Sequence, residues 1–223
     1  MTPAIRAFLL ATLLVARAAF AASDDATTHH SFDDVEHWKA VFDDPARDEW
    51  QKPVELVKAL AIRAGMTVAD LGAGTGYLSR HLSAAVGPDG TVFAVEPEPK
   101  LLAYLRDRAE REKTANVVPV LASLDDPRLP PHAVDLVLVV DTFHHIDHRV
   151  AYFRALRRVL RDGGRVAVVD WHKRPLPVGP EPAHKLAREQ VVDEMRSAGY
   201  ALVAEPDVLP YQYVLVFGPR RNP

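Results

Sequence analysis

The chain has 223 residues, 48% of them apolar and 26% charged, with a formal net charge of −3. That length suffices for one α/β domain with a substantial core, and the composition is that of an ordinary globular protein. The weak negative charge gives no support for nucleic-acid binding by bulk electrostatics, and the absence of cysteine excludes disulfides, thiolate metal sites and cysteine nucleophiles.

The chain opens with a short n-region carrying Arg6, an apolar run from Ala7 to Ala16, and Ala19-Phe20-Ala21 before the acidic Ser23-Asp24-Asp25. This is the pattern of a secretory signal peptide over residues 1–21, with a small-x-small cleavage site. Export, to the periplasm, is the expectation; an uncleaved anchor or a misread start codon, which would leave the chain in the cytoplasm, are the alternatives. Arg17 interrupts the apolar character. No stretch reaches the roughly 18 apolar residues of a membrane span. Ser23 to His30 is polar and is expected to be disordered. Phe32 to Asp44 has helical spacing and is stopped by Pro45, and Pro53 opens a second helix that runs to Arg63. Residues 22–52 are thus read as a disordered segment and a helical arm. Trp38 reads as an anchor of that arm, and Trp50 as either an anchor or part of a lid.

Met66 to Arg80 reads MTVADLGAGTGYLSR. An apolar strand leads into three alternating glycines, Gly72, Gly74 and Gly76, and then into a helix. Glycine lets the backbone turn sharply and approach a ligand, and the free N–H groups of the following helix face the turn. The spacing is G-x-G-x-G rather than the G-x-G-x-x-G of dinucleotide folds. Asp70, just before it, suits a ligand carrying positive charge. This turn resembles the first motif of the class I S-adenosylmethionine-dependent methyltransferases. The resemblance covers about Pro53 to Phe217. It implies S-adenosylmethionine as cofactor, with Asp70, Gly72, Ala73, Gly74 and Gly76 around its methionine part. It also implies one domain over residues 53–223: an α/β, Rossmann-like, doubly wound, seven-stranded and mostly parallel sheet with an antiparallel C-terminal strand, and the helical arm lying over the cofactor.

Gly87-Pro88-Asp89-Gly90 is a turn, and Thr91 to Val95 is a second strand ending in Glu96. A carboxylate at that place can accept both hydroxyls of a ribose. By the resemblance Glu96 is the ribose-binding acid, with Pro97 beside it. The family commonly places an acid after the third strand, against adenine. Here Ser123, Leu124 or Asp125 stands near that place, so the contact is open among them. Val134 to Val140, VDLVLVV, is a strand buried on both faces. It delivers Asp141 to His145 to the carboxyl end of the sheet, where open α/β folds bind ligands. Arg165 to Asp170 is the fifth strand, followed by a proline-rich loop to Pro182, a helix from Ala183 to Ala198 and a final strand pair.

Methyl transfer needs alignment, exclusion of water and, for a protonated acceptor, a base. No nucleophile motif is present. His144, with Asp141 behind it, is the candidate base, weighed evenly against a packing role. Asp141 is also a candidate cofactor contact. Adjacent helical residues point about 100° apart, so one of His144 and His145 is expected to face the pocket. Trp50, His145, Trp171 and His172 are candidate acceptor contacts. The histidines lack the H-E-x-x-H arrangement, and no metal is expected. The expected function is methyl transfer to a small-molecule or cell-envelope acceptor. A binding protein that lost activity is the alternative, and a nicotinamide oxidoreductase is disfavoured by the glycine spacing. No nucleic-acid partner is expected.

Overall fold

The computed structural model describes residues 23–28 and 31–220. The leader expected at 1–21 and the pair His29-His30 lie outside them. Among the described residues no helix is long and apolar enough to cross a membrane.

One seven-stranded sheet organises the chain. Its strands are β1 (Thr67–Leu71), β2 (Thr91–Glu96), β3 (Val117–Leu121), β4 (Val134–Val140), β5 (Leu160–Trp171), β6 (Tyr200–Ala204) and β7 (Gln212–Pro219). They lie side by side in the order β3-β2-β1-β4-β5-β7-β6. All pairings from β3 to β5 are parallel, and β7 runs antiparallel to both β5 and β6. The expected sheet is therefore the one that forms.

The apolar run of β4 explains its central place. Successive side chains of a strand point to opposite faces. Val137 and Val139 join one core, with Phe153, Leu156 and Met195 from α6 (Arg149–Leu156) and α7 (Arg188–Ser197). Leu136, Leu138 and Val140 join the other, with Leu56, Leu78, Leu82 and Leu105 from α3 (Pro53–Ala59), α4 (Tyr77–Val86) and α5 (Pro99–Glu112). A strand covered on both faces has no polar side to alternate with.

The arm comprises α1 (Val35–Phe42) and α2 (Arg47–Gln51). Asp34 caps α1 by accepting a bond from the His37 N–H. No residue of α1 is fully buried; Trp38 stacks on Phe42 with ring centroids 5.2 Å apart. Asp43, at the end of α1, pairs with Arg108 of α5 at 2.7 Å and accepts from the Thr75 hydroxyl at 2.9 Å. The arm is thereby tied to the helix behind the glycine turn.

Several local expectations are corrected. The third helix stops at Ala59, and Ala61 has a φ of +53°. The helix that the sequence suggests from His148 to Leu160 ends at Leu156 and continues as a 3-10 turn, Arg157–Val159. β5 begins at Leu160, because Leu160 pairs with Val134 before an irregularity in the register. α7 begins at Arg188, after a 3-10 turn at Pro182–His184 and extended residues. Ser23–Thr28, expected to be disordered, lies against the loop after β4, with the Thr27 N–H donating to the His144 carbonyl at 2.8 Å.

β1 leaves the sheet through Gly72, whose φ is +76°. A Cβ there would fall inside the side chain of Thr142, from the loop after β4. Close approach and left-handed backbone both demand glycine, and this contact seats the ends of β1 and β4 on one another. Gly72→Ala should cost about 1–3 kcal/mol of stability in urea unfolding. Unchanged stability would show that the contact is easily relieved.

Candidate active site

The glycine turn folds back over β2. The N–H groups of Gly72 and Ala73 both donate to the Val95 carbonyl, at 2.9 and 3.0 Å. Gly74 also has a positive φ, +57°, and its N–H donates to Glu96 Oε2 at 2.8 Å. The other oxygen, Oε1, accepts from the Glu98 N–H at 2.9 Å. Glu96 is nearly buried, and burial pushes its carboxyl up to about 7, against the pull of those two N–H groups. Asp70 is equally buried and accepts from the Ser79 hydroxyl at 2.7 Å. Burial pushes it up to about 6, opposed by Ser79 and by the charge of Arg47.

Asp70, Gly72, Ala73, Gly74, Glu96, Pro97, Ser123, Leu124 and Asp141 line one cavity of about 1120 Å³. That is at the upper end of ligand pockets, room for a cofactor and a second molecule. Gly76 is the exception. It lies behind the turn, outside the lining, and a Cβ on it would meet Leu105 at 3.2 Å, so it serves packing. Asp125 is also outside the lining; it accepts from the Ser123 hydroxyl at 2.8 Å. Of the three candidates after β3, Ser123 and Leu124 line the cavity.

The other half of the cavity forms at the ends of β4 and β5. Asp141 sits at a φ of +54°, and its N–H donates to the Val169 carbonyl at 3.0 Å. Its Oδ1 accepts from Gln212 Nε2 at 2.5 Å, and its Oδ2 lies 3.5 Å from Arg47. Arg47 in turn donates to Gln51 Oε1, and Gln51 Nε2 donates to Gln212 Oε1 at 2.7 Å. Each amide orientation is forced by its neighbour, so Arg47, Gln51, Gln212 and Asp141 close a polar ring. The guanidinium also lies 4.2 Å from the centre of the Tyr77 ring. Burial pushes Asp141 up to about 7, with Arg47 opposing and Asp170 reinforcing.

His144 lies on a 3-10 turn, Phe143–His145, and is almost fully buried. Its Nδ1 is 2.9 Å from both oxygens of Asp170, which is wholly buried and also accepts from the Trp171 N–H at 2.8 Å. The pairing occupies Nδ1 and leaves Nε2 for other chemistry. Burial alone would lower the His144 pKa; the charge and hydrogen bond of Asp170, helped by Asp141, outweigh it and raise it.

Both His144 and His145 reach the cavity, since the tight turn replaces the helix on which only one was expected to face it. Trp50 and Trp171 form a wall with ring centroids 5.1 Å apart. Gly179 of the proline loop lies flat on Trp171, close enough that a Cβ would stand 2.8 Å from the indole. Trp38, expected to anchor the arm, packs on Phe32 and Phe42 there and also lines the cavity. His172 does not: its ring rests against Tyr213, 5.9 Å between centroids, outside the lining. Arg47, Asp170 and Gln212 were missed by sequence reasoning. Asp170 could have been found, because it ends β5 beside the strand that delivers Asp141.

Asp70, Glu96 and Asp141 have folded-state pKa values above their unfolded ones, so each stabilises the fold at low pH and that stabilisation fades as pH rises to about 7. His144, also raised, acts in the same direction, whereas His81 and His172, lowered by burial, act in the opposite one. The difference between wild type and Asp141→Asn isolates one acid. Between pH 5.5 and 8 the variant should gain in melting temperature relative to wild type. Parallel curves would refute a raised Asp141.

Residues 68–164 match the family model described as a methyltransferase domain. Ubiquinone/menaquinone biosynthesis C-methyltransferases UbiE of Pseudomonas putida and Pseudomonas aeruginosa are 30% identical over 118 residues, 52% of this chain and 46% of theirs. The chain thus spans about half the length of these curated relatives. A S-adenosylmethionine-dependent methyltransferase from Aquifex aeolicus superposes with a TM-score of 0.79 at 25% identity, covering 85% of this chain and 98% of that one. The [4+2]-cyclase SpnF shares the fold alone, at 16% identity and a TM-score of 0.63 over 77% of this chain and 81% of its own. Residues 68–164, which supply the glycine turn, Glu96, Asp141 and His144 to the crevice, thus match a methyltransferase domain, and the fold as a whole is similar to that of an S-adenosylmethionine-dependent methyltransferase.

Proposed function

We propose that the chain transfers a methyl group from S-adenosylmethionine to a small, uncharged, ring-bearing acceptor. The observation that carries this reading is that Asp70, Glu96, Asp141 and His144 line one cavity. The cofactor supplies a methyl group already activated on a sulfonium. The residues present fit it: buried acids await a cation, and Glu96 offers two adjacent oxygens for sugar hydroxyls. Gly72, Ala73, Gly74 and Asp70 would hold its methionine part, and Pro97, Ser123 and Leu124 its adenine end.

The acceptor half is walled by Trp50, Trp171 and the proline loop. Among the described residues that line the cavity Arg47 is the one Lys or Arg, and it is engaged by the Phe42 carbonyl, Gln51 and Asp141. Among the described residues no lysine or arginine is left free for an anionic acceptor, which supports an uncharged one. The UbiE relatives, named for quinone biosynthesis, agree with a flat ring. His144 Nε2 takes the proton of a ring hydroxyl, and the electron pair left on the oxygen, or on the ring carbon beside it, is the nucleophile. Asp170 holds the ring of His144 and stabilises the imidazolium. The leader pattern at 1–21 supports action outside the cytoplasm, where cofactor would have to be supplied. A protein that only binds the cofactor would use the same crevice; the His144–Asp170 pair favours transfer.

The test is transfer of labelled methyl from S-adenosylmethionine into the small-molecule fraction of a cell extract. His144→Gln and Asp170→Asn should each lower kcat by about 10²–10⁴. Glu96→Ala should weaken cofactor binding by about 1–3 kcal/mol, seen in KM for the cofactor. Full transfer by His144→Gln would remove the base from the account, and no transfer by wild type into any extract would favour binding alone.

A further inference from the structure

We propose that Ser23–Thr28 is a working part of the active site: a strap, clamped by Arg149, that fixes the turn carrying His144. It draws on the methyl-transfer reading only for the role given to His144.

Arg149 is fully buried, and all five of its guanidinium N–H groups have partners. Nε and Nη2 grip the two oxygens of Glu194 at 2.6 and 2.9 Å. Nη1 donates to the carbonyls of Ile146, at 3.2 Å, and Asp25. Nη2 also donates to the Ser23 carbonyl at 3.1 Å. Two of the five acceptors are therefore strap carbonyls and one belongs to the catalytic turn. Without the strap, a buried cation would keep unpaired donors, a costly arrangement that opening of the turn to water would relieve.

The strap is bound along its whole length. The Asp24 carbonyl accepts from the Arg149 backbone N–H at 3.0 Å, and its carboxylate accepts from the Val150 N–H at 3.1 Å. α6 has no cap from its own N-cap residue, so Asp24 supplies one from a distance. The Ala26 N–H donates to Asp147 Oδ1 at 2.9 Å. Thr27 reaches furthest in. Its N–H donates to the His144 carbonyl at 2.8 Å, and its single hydroxyl proton is shared between the His184 carbonyl at 2.7 Å and, more weakly, the His144 carbonyl at 3.2 Å. Thr27 thus joins the base-bearing turn to the end of the proline loop. Arg149 and Thr27 do not line the cavity themselves; they bond to the carbonyls of Ile146 and His144, which do. They are positioning residues, acting on the acceptor half through the backbone of His144.

The test uses the full-length chain with Thr27→Val, which removes the bridging hydroxyl and keeps the shape, and Arg149→Lys, which keeps the charge and loses the fork. His144 is titrated by nitrogen NMR, amide exchange is read over residues 143–150, and S-adenosylhomocysteine affinity is measured by calorimetry. The titratable and charged groups around His144 are Asp170 on β5, Asp141 just after β4, Arg149 on α6 and the adjacent His145, whose ring centre is 4.2 Å away. The strap account expects the His144 pKa to fall toward that of an ordinary histidine. It also expects exchange at His144 and His145 to rise about tenfold, with affinity within about threefold of wild type. Unchanged titration and exchange in Thr27→Val overturn the proposal, even if Arg149→Lys does not fold. Absence of S-adenosylhomocysteine binding in the wild type would sink the methyl-transfer reading instead, and the titration would still judge the strap.

Discussion

Three carboxylates, the buried Asp70 and Glu96 and the part-exposed Asp141, stand at the ends of strands that meet around one crevice. A buried carboxylate is costly unless it is paired, hydrogen-bonded or protonated. Each of the three has partial compensation only: a serine hydroxyl for Asp70, two backbone N–H groups for Glu96, Gln212 and a distant Arg47 for Asp141. On the proposed reading, a cationic ligand with sugar hydroxyls completes what the protein leaves incomplete. The glycine turn, the left-handed backbone at Asp141 and the ring through Gln51 and Gln212 all serve to hold these acids at one place.

The crevice divides into two halves with different construction. The cofactor half is built from backbone and acids at β1 to β3, local to each strand end. The acceptor half is assembled from far apart in sequence: Trp50 from the arm, His144 after β4 with Asp170 of β5 behind it, Trp171 from β5, and Gly179 from the proline loop. The N-terminal strap and the arm close over it from the same terminus, so the acceptor side depends on chain that precedes the domain match at residue 68.

This division decides what could be read from the sequence. Strand, glycine turn and helix are set by local periodicity and by backbone that only glycine adopts easily, so Asp70, Gly72, Gly74 and Glu96 were legible. The buried run Val134–Val140 placed β4 at the centre for the same reason. Gly76 was grouped with its neighbours by spacing, yet it opens α4 against Leu105, a packing fact between helices. His172 follows a strand whose alternation already turns Trp171 to the cavity, so its own side chain goes elsewhere. Arg47 and Gln51 lie in the polar run RDEWQK, which carries no mark of the ring they close with Gln212. The polar composition of Ser23–Thr28 reads as disorder, because its partners, above all Arg149, are more than a hundred residues away.

The central claim is that this crevice takes an adenosyl sulfonium compound. Calorimetric titration of the purified chain with S-adenosylhomocysteine, alongside NAD, tests it most directly. The account predicts one site of micromolar affinity for the first and no heat of binding for the second. Binding of NAD, or silence with both ligands, would contradict it.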